Sequence, residues 1–477
     1  MQNENKIQPA TLPPLAEVKS VYFIGIGGIG MSALARYFKS KGAAVAGYDR
    51  SETPLTRELK QEGIAIHFNE NIEQVPKEAD LVVYTPAVPA AHAELKYYQN
   101  NGYAVVKRSD VLGAITKASF NICVAGTHGK TTISTMIAHL LRHSGYGCNA
   151  FLGGISSNYN TNFWSSERDV AVIEADEYDR SFLKLSPDIA VISAMDADHL
   201  DIYGDEASVQ DAFVQFGNKV KAGGLLFSKF GLKRLREVHA ASRITYSATN
   251  DAAAVFATGI EIEEGGYRFD VQLPGSRISE IELHVGGMHN VENAVVAIAV
   301  AHHLQIDADK IKSAIAGFKG VKRRFEYIIP LQKKVKGSYW YPVFIDDYAH
   351  HPEELNALLK SARSLFPQRK LTVIFQPHLF SRTKDFAEGF SSSLNIADTI
   401  LLLPIYGARE HPVEGVTSAL IANGIDRKKV RLLERDELLA WASEKVWDKE
   451  FGEVLITAGA GDIDSLVMPL KEILERE

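Results

Sequence analysis

The stretch that decides the fold is Asn121-Ile122-Cys123-Val124-Ala125-Gly126-Thr127-His128-Gly129-Lys130-Thr131-Thr132. Its apolar first half predicts a buried strand, and the residues after Thr132 predict a helix with one apolar stripe. A glycine loop in this setting presents backbone N–H groups to an anion, while Lys130 reaches phosphate oxygens and the Thr131 hydroxyl binds Mg²⁺. Val124 stands where the common phosphate-loop pattern has its first glycine, so the loop is two residues tighter. We therefore predict an ATP site here in preference to a structural turn.

A second glycine loop, Gly25-Ile26-Gly27-Gly28-Ile29-Gly30, lies earlier in the chain between a predicted strand at 21–24 and a predicted helix. This G-x-G-x-x-G pattern lets the backbone approach a diphosphate at a helix N-terminus. Asp49 ends the next predicted strand, where an acidic side chain can bind a ribose hydroxyl. The loop predicts a nucleotide diphosphate site, and a dinucleotide and a nucleotide sugar both remain open.

The length and the order of the elements predict three α/β domains. The chain has 477 residues, which at about 150 per domain gives roughly three. We expect a Rossmann-like N-terminal domain (1–115), a P-loop-type central ATPase domain (116–321) and a Rossmann-like C-terminal domain (322–477). Turn pairs and period-2 stretches between about 244 and 287 predict a small antiparallel section in the central domain. Further strands are predicted at 43–48, 81–84, 170–173, 189–193, 344–345, 371–375, 399–403 and 454–457.

Composition excludes several classes of protein. Hydrophobic residues make up 46% and charged residues 23%, which is typical of a globular chain. The net charge of −7 argues against non-specific electrostatic binding to nucleic acid or to an anionic membrane. The longest apolar run has only the eight residues 294–301, and residues 1–19 lack the apolar centre of a secretory signal. With two cysteines, Cys123 and Cys148, we expect a cytoplasmic protein that contacts neither membrane nor nucleic acid.

Acidic side chains follow two predicted strands of the central domain. Residues 174–179 hold four carboxylates, and Glu174, nearest its strand, is the best Mg²⁺ ligand among them, although such density is also typical of solvated surface. His199 lies among three acids, which favours a metal or phosphate role over a structural one. Thr131, Glu174 and His199 are the predicted metal ligands.

Polar residues elsewhere have two interpretations each. Asn290 fits a simple helix N-cap, whereas Asn293, one turn on, fits the reading of an adenine edge. Arg324 fits either a charged linker or an arginine that reaches the γ-phosphate across a domain joint. Two further groups follow predicted strands of the third domain and indicate a site rather than a core: Asp347, Tyr348, His350, His378 and Arg382.

Together these motifs resemble the Mur ligases, the ATP-dependent amino-acid ligases of peptidoglycan synthesis. The resemblance is carried, in family order over nearly the whole chain, by residues 22–32, 126–132, 174–179, 198–199, 289–293, 323–325, 346–352 and 376–382. It implies ATP-dependent ligation of L-alanine to the carboxylate of UDP-N-acetylmuramate through an acyl phosphate, with Mg²⁺ or Mn²⁺ as cofactor.

The resemblance also implies a role for each motif residue. ATP would be held by Gly126, Thr127, His128, Gly129, Lys130, Thr131, Thr132, Asn290, Asn293, Arg324 and Asp347. The UDP-sugar would be held by Gly25, Gly27, Gly28, Gly30, Asp49, His67 and Arg108. Tyr348, His350, His378 and Arg382 would face the substrate carboxylate and the amino acid, and the catalytic set would be Lys130, His199, Arg324 and His350. Leu379 departs from the family, which often has a basic residue there.

Three other functions compete with this one. A dehydrogenase would use the first loop for NAD but leaves the second loop unexplained. A sister ligase would attach a recycled tripeptide to the same UDP-sugar, and a nucleotide-sugar sensor would bind without catalysis. The choice among L-alanine, L-serine and glycine stays open, because one small group is worth only about 1–3 kcal/mol. A monomer and a homodimer are both compatible with the sequence.

Overall fold

The structure is a computed structural model, and it describes residues 12–196, 200–263, 265–330, 342–408, 410–447 and 452–475. The chain divides into two compact units. The first comprises the described parts of Met1–Ile155, Tyr159–Phe256 and Asn293–Ala314. The second comprises the described parts of Ser156–Asn158, Ala257–Glu292 and Ile315–Glu477.

The first unit opens with a parallel sheet in the order β3-β2-β1-β4-β5. This is the strand order of a Rossmann-like domain, in which ligands bind beyond the carboxyl ends at the switch point beside β1. Its elements are β1 (Ser20–Ile24), α1 (Ile29–Ser40), β2 (Ala44–Tyr48), α2 (Pro54–Gln61), β3 (Ala65–His67), β4 (Leu81–Tyr84), α3 (Ala93–Asn100), β5 (Val105–Lys107) and α4 (Arg108–Ala118).

A second sheet of the first unit has the order β12-β11-β10-β6-β9-β7-β8. Its elements are β6 (Phe120–Ala125), α5 (Lys130–His143), β7 (Asn149–Ser156), β8 (Thr161–Trp164), β9 (Val170–Glu174), β10 (Ile189–Ile192), α6 (Leu200–Tyr203), α7 (Glu206–Gly217), β11 (Leu225–Lys229) and β12 (Ser242–Ser247). Most of α8 (Met288–His303) and of α9 (Ala308–Ala316) also belongs to the first unit. Because β6 pairs in parallel with β9 and β10, their carboxyl ends meet at one edge. The predicted phosphate loop and the predicted metal ligand Glu174 leave the sheet at this edge.

The second unit contains the antiparallel section and a mostly parallel sheet in the order β16-β17-β21-β18-β19-β20. In this sheet β16 pairs with β17 in antiparallel fashion, and the other described neighbours pair in parallel. The predicted antiparallel section is the hairpin of β14 (Gly266–Leu273) and β15 (Ser276–Leu283). Most of β13 (Val255–Glu263) also belongs to this unit. The remaining elements are β16 (Glu326–Ile329), β17 (Val343–Asp347), α10 (Pro352–Leu365), β18 (Lys370–Phe375), α11 (Phe380–Asp385), α12 (Ala387–Leu394), β19 (Thr399–Leu402), α13 (Ala419–Ala422), β20 (Val430–Leu432), α14 (Arg435–Glu444), β21 (Glu453–Ala458) and α15 (Asp464–Glu475).

The predicted α/β class is confirmed. The strands that the sequence predicts lie within one or two residues of their predicted bounds. One prediction at a helix end is wrong. Helix α8 begins at Met288, so Asn290 lies inside its first turn rather than at its N-cap, and its side chain instead donates to the Gly286 carbonyl at 2.6 Å. The apolar run 294–301 is fully buried in this helix. Within the described residues, no helix combines the length and the apolar character that a membrane crossing requires.

Candidate functional site

The phosphate loop joins β6 to α5, and two of its glycines adopt a backbone that disfavours other residues. Gly129 caps α5 with φ 83°, and Gly126 has φ 139°. A Cβ atom at Gly126 would overlap the Ser193 hydroxyl, so only glycine lets the loop pass this close to β10. The loop therefore presents its backbone at the N-terminus of α5, the arrangement that binds phosphate.

Lys130 lies at the mouth of this loop and has two acceptors. Its Nζ donates to the Gly126 carbonyl at 2.8 Å and lies 2.6 Å from Oε1 of Glu177. Burial raises the pKa of Glu177, and the charge of Lys130 opposes that rise. The ammonium is thus already held over the loop that phosphates would enter.

The predicted metal ligands Thr131 and Glu174 lie together. The Thr131 hydroxyl donates to Glu174 Oε1 at 3.0 Å, and the Gly153 N–H donates to Oε2 at 2.9 Å. A hydroxyl and a carboxylate are hard oxygen donors of the kind that Mg²⁺ takes, and Mg²⁺ fills its other positions with phosphate and water oxygens. In the described parts of the chain, no trio of His, Cys, Asp or Glu gathers as a metal cluster. His199 lies outside the described residues.

Other residues predicted to bind ATP lie within the loop or against it. The Asn293 amide oxygen lies against Gly129, so this side chain contacts the phosphate loop itself. Thr127 Oγ1 accepts the Asp196 N–H at 3.2 Å, while His128 is largely exposed. Thr132 is buried.

The first glycine loop packs against two of the residues predicted to bind the UDP-sugar. The Gly27 N–H donates to Asp49 Oδ2 at 2.7 Å, so this carboxylate stabilises the loop directly. A Cβ atom at Gly30 would overlap the Arg108 guanidinium. Glycine at position 30 therefore allows Arg108 to lie over the N-terminus of α1.

Arg108 also borders a cavity of about 300 Å³ in the first unit. Its Nη2 donates to Asp176 Oδ2 at 3.2 Å. The cavity is lined on one side by the first glycine loop, including Gly28 and Gly30, and on the other by Gly153, Glu174 and Asp176. The residues predicted for the UDP-sugar and for the metal thus share one cavity.

His67 lies in a hydrogen-bonded cluster that the sequence did not reveal. Its Nε2 is 2.8 Å from Oε1 of the fully buried Glu94 and 3.2 Å from the Tyr22 hydroxyl. Tyr22 donates to the other oxygen of Glu94 at 2.7 Å. His67 is therefore packed as a structural residue whose role toward the UDP-sugar stays a prediction.

In the second unit, Asp347 organises the segment around Arg324. Its carboxylate accepts the Phe325 N–H at 2.6 Å and the Ala349 N–H at 2.7 Å. Burial raises the pKa of Asp347 to about 6, an effect that the nearby charge of Arg324 opposes. Arg324 itself is exposed. The structure therefore gives Asp347 a local role, and its contact with ATP stays a prediction.

Tyr348, His350, His378 and Arg382 gather at the carboxyl ends of β17 and β18, as predicted. The rings of His350 and His378 are 6.1 Å apart, and Arg382 Nη1 lies 3.5 Å from His378 Nδ1. Burial lowers the pKa of both histidines, with a further contribution from Arg382. The cluster thus combines one permanent cation with two imidazoles whose surroundings favour the neutral form.

Three family descriptions match consecutive parts of the chain. Residues 20–120 match the Mur ligase family catalytic domain, residues 124–301 the Mur ligase middle domain, and residues 323–461 the Mur ligase glutamate ligase domain. The chain belongs to the Mur ligase family. It therefore has the three-domain α/β fold of these ATP-dependent ligases.

Relatives match this Mur ligase over nearly its whole length. It is 46% identical over 471 residues to the UDP-N-acetylmuramate–L-alanine ligase of Cytophaga hutchinsonii, with 97% of this chain and 98% of the relative covered. Identity to the enzyme of the same name from Flavobacterium psychrophilum is 47%, over 97% and 100%. The crystal structure of UDP-N-acetylmuramate-alanine ligase from Thermotoga maritima matches with a TM-score of 0.78, 28% identity and coverage of 96% and 98%.

Sequence reasoning missed two carboxylates of this Mur ligase site. Asp176 and Glu177 were left within an acidic run, although they contact Arg108 and Lys130. Lys130 itself was a signal for such a carboxylate. A lysine near a buried sheet edge needs an anionic partner when no phosphate is bound.

Proposed function

We propose that this Mur ligase joins L-alanine to the carboxylate of UDP-N-acetylmuramate while ATP is converted to ADP and phosphate. The observation that carries the proposal is the shared cavity, which has the first glycine loop on one side and Glu174 of the ATP-binding sheet on the other. A substrate bound in this cavity would lie near Glu174, which accepts a hydrogen bond from Thr131 of the phosphate loop. The names of the full-length relatives supply the substrate pair.

The chemistry follows from the leaving group. A carboxylate would have to expel oxide, so the γ-phosphoryl group of ATP is first transferred to it, and the acyl phosphate then expels phosphate when the neutral amine attacks. Lys130 is placed to neutralise charge on the transferring group, and in such reactions positioning and electrostatic stabilisation supply most of the rate. His350 is our candidate for the base that accepts the amine proton.

Mg²⁺, with Mn²⁺ as its substitute, is the proposed cofactor. Thr131 and Glu174 would hold it, and His199 is the proposed ligand of a second ion. The ion would neutralise phosphate charge.

We propose that each predicted domain binds a different substrate. Residues 1–115 would bind the UDP-sugar, 116–321 would bind ATP, and 322–477 would bind the amino acid. This proposal includes the roles that the sequence analysis gives to individual residues: the two glycine loops, Asn290, Asn293, Arg324, Asp347 and the His350 cluster. We also propose a cytoplasmic location, where both nucleotides occur, and a monomer or homodimer, which analytical ultracentrifugation distinguishes.

The function is tested by phosphate release. Purified protein is supplied with ATP, Mg²⁺ and UDP-N-acetylmuramate, and with L-alanine, L-serine, glycine or the recycled tripeptide in parallel. We expect the highest kcat/KM with L-alanine. Release with the tripeptide alone would identify the sister ligase and contradict the proposal, as would the absence of release with every amine.

Arg108 provides a test of the UDP-sugar pocket. Hydrogen bonds to charged groups are worth about 1.5–3 kcal/mol, so Arg108→Ala is expected to raise the Kd for UDP-N-acetylmuramate roughly ten- to hundredfold. Isothermal titration calorimetry measures this. Lys107→Ala is the matched control, because Lys107 is the adjacent cation and pairs with Asp179 at 3.4 Å but does not line the cavity. Equal losses in the two variants would argue against a specific role for Arg108.

A further inference from the structure

Glu177 is a buried carboxylate for which the proposed reaction has so far no use. Its side chain is 1% exposed, and that of Lys130 is 15% exposed. The 2.6 Å contact between Glu177 Oε1 and Lys130 Nζ joins the loop after β9 to the first residue of α5. Removing two charges from water costs free energy unless the pair is well formed. The sequence therefore retains a destabilising buried carboxylate next to its phosphate loop.

We propose that Glu177 is a positioning residue for Lys130, one that fixes the direction of the ammonium toward the transferring phosphoryl group. This role rests on the proposed function. Lysine has a long flexible stem, and an unrestrained Lys130 would sample many rotamers. An ammonium has three N–H donors, and Gly126 O and Glu177 are the acceptors of two of them within the described residues, so a third donor can reach a phosphate oxygen. A donor already aimed at the reacting group needs no reorganisation during the reaction.

The contacts around Glu177 favour this role over metal binding. Glu174, three residues earlier, is the carboxylate that Thr131 and Gly153 contact. The backbone carbonyl of Glu177 accepts the Tyr203 hydroxyl at 2.6 Å and the Arg180 N–H at 2.9 Å. The main chain is thereby anchored, with the side chain directed at Lys130. The two neighbouring glutamates thus have separate tasks.

Steady-state kinetics of Glu177→Ala and Glu177→Gln test the proposal. We expect kcat to fall at least tenfold in the alanine variant and less in the glutamine variant, whose amide oxygen still accepts from Lys130. The KM for UDP-N-acetylmuramate and the half-saturating Mg²⁺ concentration should stay within twofold of wild type. Asp179→Asn is the control from the same loop, and its kcat should stay within twofold. A folded alanine variant with wild-type kcat, or one with only a raised Mg²⁺ requirement, would overturn the proposal.

Thermal unfolding without ligands tests the pair independently. Lys130→Ala leaves the Glu177 carboxylate without this cation, so the Tm of this variant should fall below that of the wild type. Adding Glu177→Gln should recover part of that fall, because the buried charge is gone. If the Tm losses of Lys130→Ala and Glu177→Gln simply added in the double variant, while the wild-type enzyme ligates alanine, the role of Glu177 would be contradicted and the proposed function would stand. A wild-type chain that consumes no ATP with UDP-N-acetylmuramate and alanine would contradict the proposed function and this role together.

Discussion

Replacing Lys130 by alanine is expected to abolish most of the ligase turnover. Removal of one preorganised donor to a developing charge typically lowers kcat by about 10²–10³-fold, and Lys130 carries a full charge at the mouth of the phosphate loop. Phosphate release under saturating substrates measures the effect. The glycine loop and the N-terminus of α5 remain, so we expect nucleotide binding to weaken less than turnover.

Lys221→Ala is the matched control for this loss. Lys221 is also a partly buried lysine of the first unit, and its Nζ pairs with Asp188 at 2.8 Å. Asp188 immediately precedes β10, so this pair lies at the opposite end of the strands from the phosphate loop. Its removal should lower Tm without changing kcat. Near-normal turnover in Lys130→Ala would show that the phosphates bind elsewhere.

Local patterns were sufficient to predict the fold class and to indicate which candidate residues lie close together. The phosphate loop and Glu174 follow strands whose apolar runs are easily recognised, and parallel pairing of β6 with β9 necessarily brings their carboxyl ends together. The 3.0 Å contact between Thr131 and Glu174 is therefore a consequence of topology. The same reasoning brought together His350 and His378, which follow β17 and β18.

The partners of the predicted residues could not be found in this way. Which carboxylate of the 174–179 run turns inward depends on the loop, where Asp179 and Arg180 both have φ 54°. Similarly, Asp49 was predicted at the end of its strand, but its contact with Gly27 depends on how closely two loops approach. Such contacts arise from tertiary packing between segments far apart in the sequence, and hydrophobic periodicity carries no information about them.

Glu174→Gln should change the metal dependence of the ligase more than any other single substitution in the described site. The side chain keeps its size, but one carboxylate charge is lost beside Thr131. Changes even to residues that only orient metal ligands cost about 10–100-fold in metal affinity, so we expect the half-saturating Mg²⁺ concentration to rise at least about tenfold, with a lower kcat at saturation. A Mg²⁺ titration of phosphate release measures both.

Asp205→Asn provides the control for the lost charge. Asp205 caps α7 in the same unit and accepts the Ser208 N–H at 2.8 Å, and asparagine caps a helix about as well as aspartate. Its Mg²⁺ requirement should equal that of the wild type. If Glu174→Gln also kept the wild-type requirement, the ion would have to be held without Glu174, and the contact between Glu174 and Thr131 would be a structural one that only orders the start of α5.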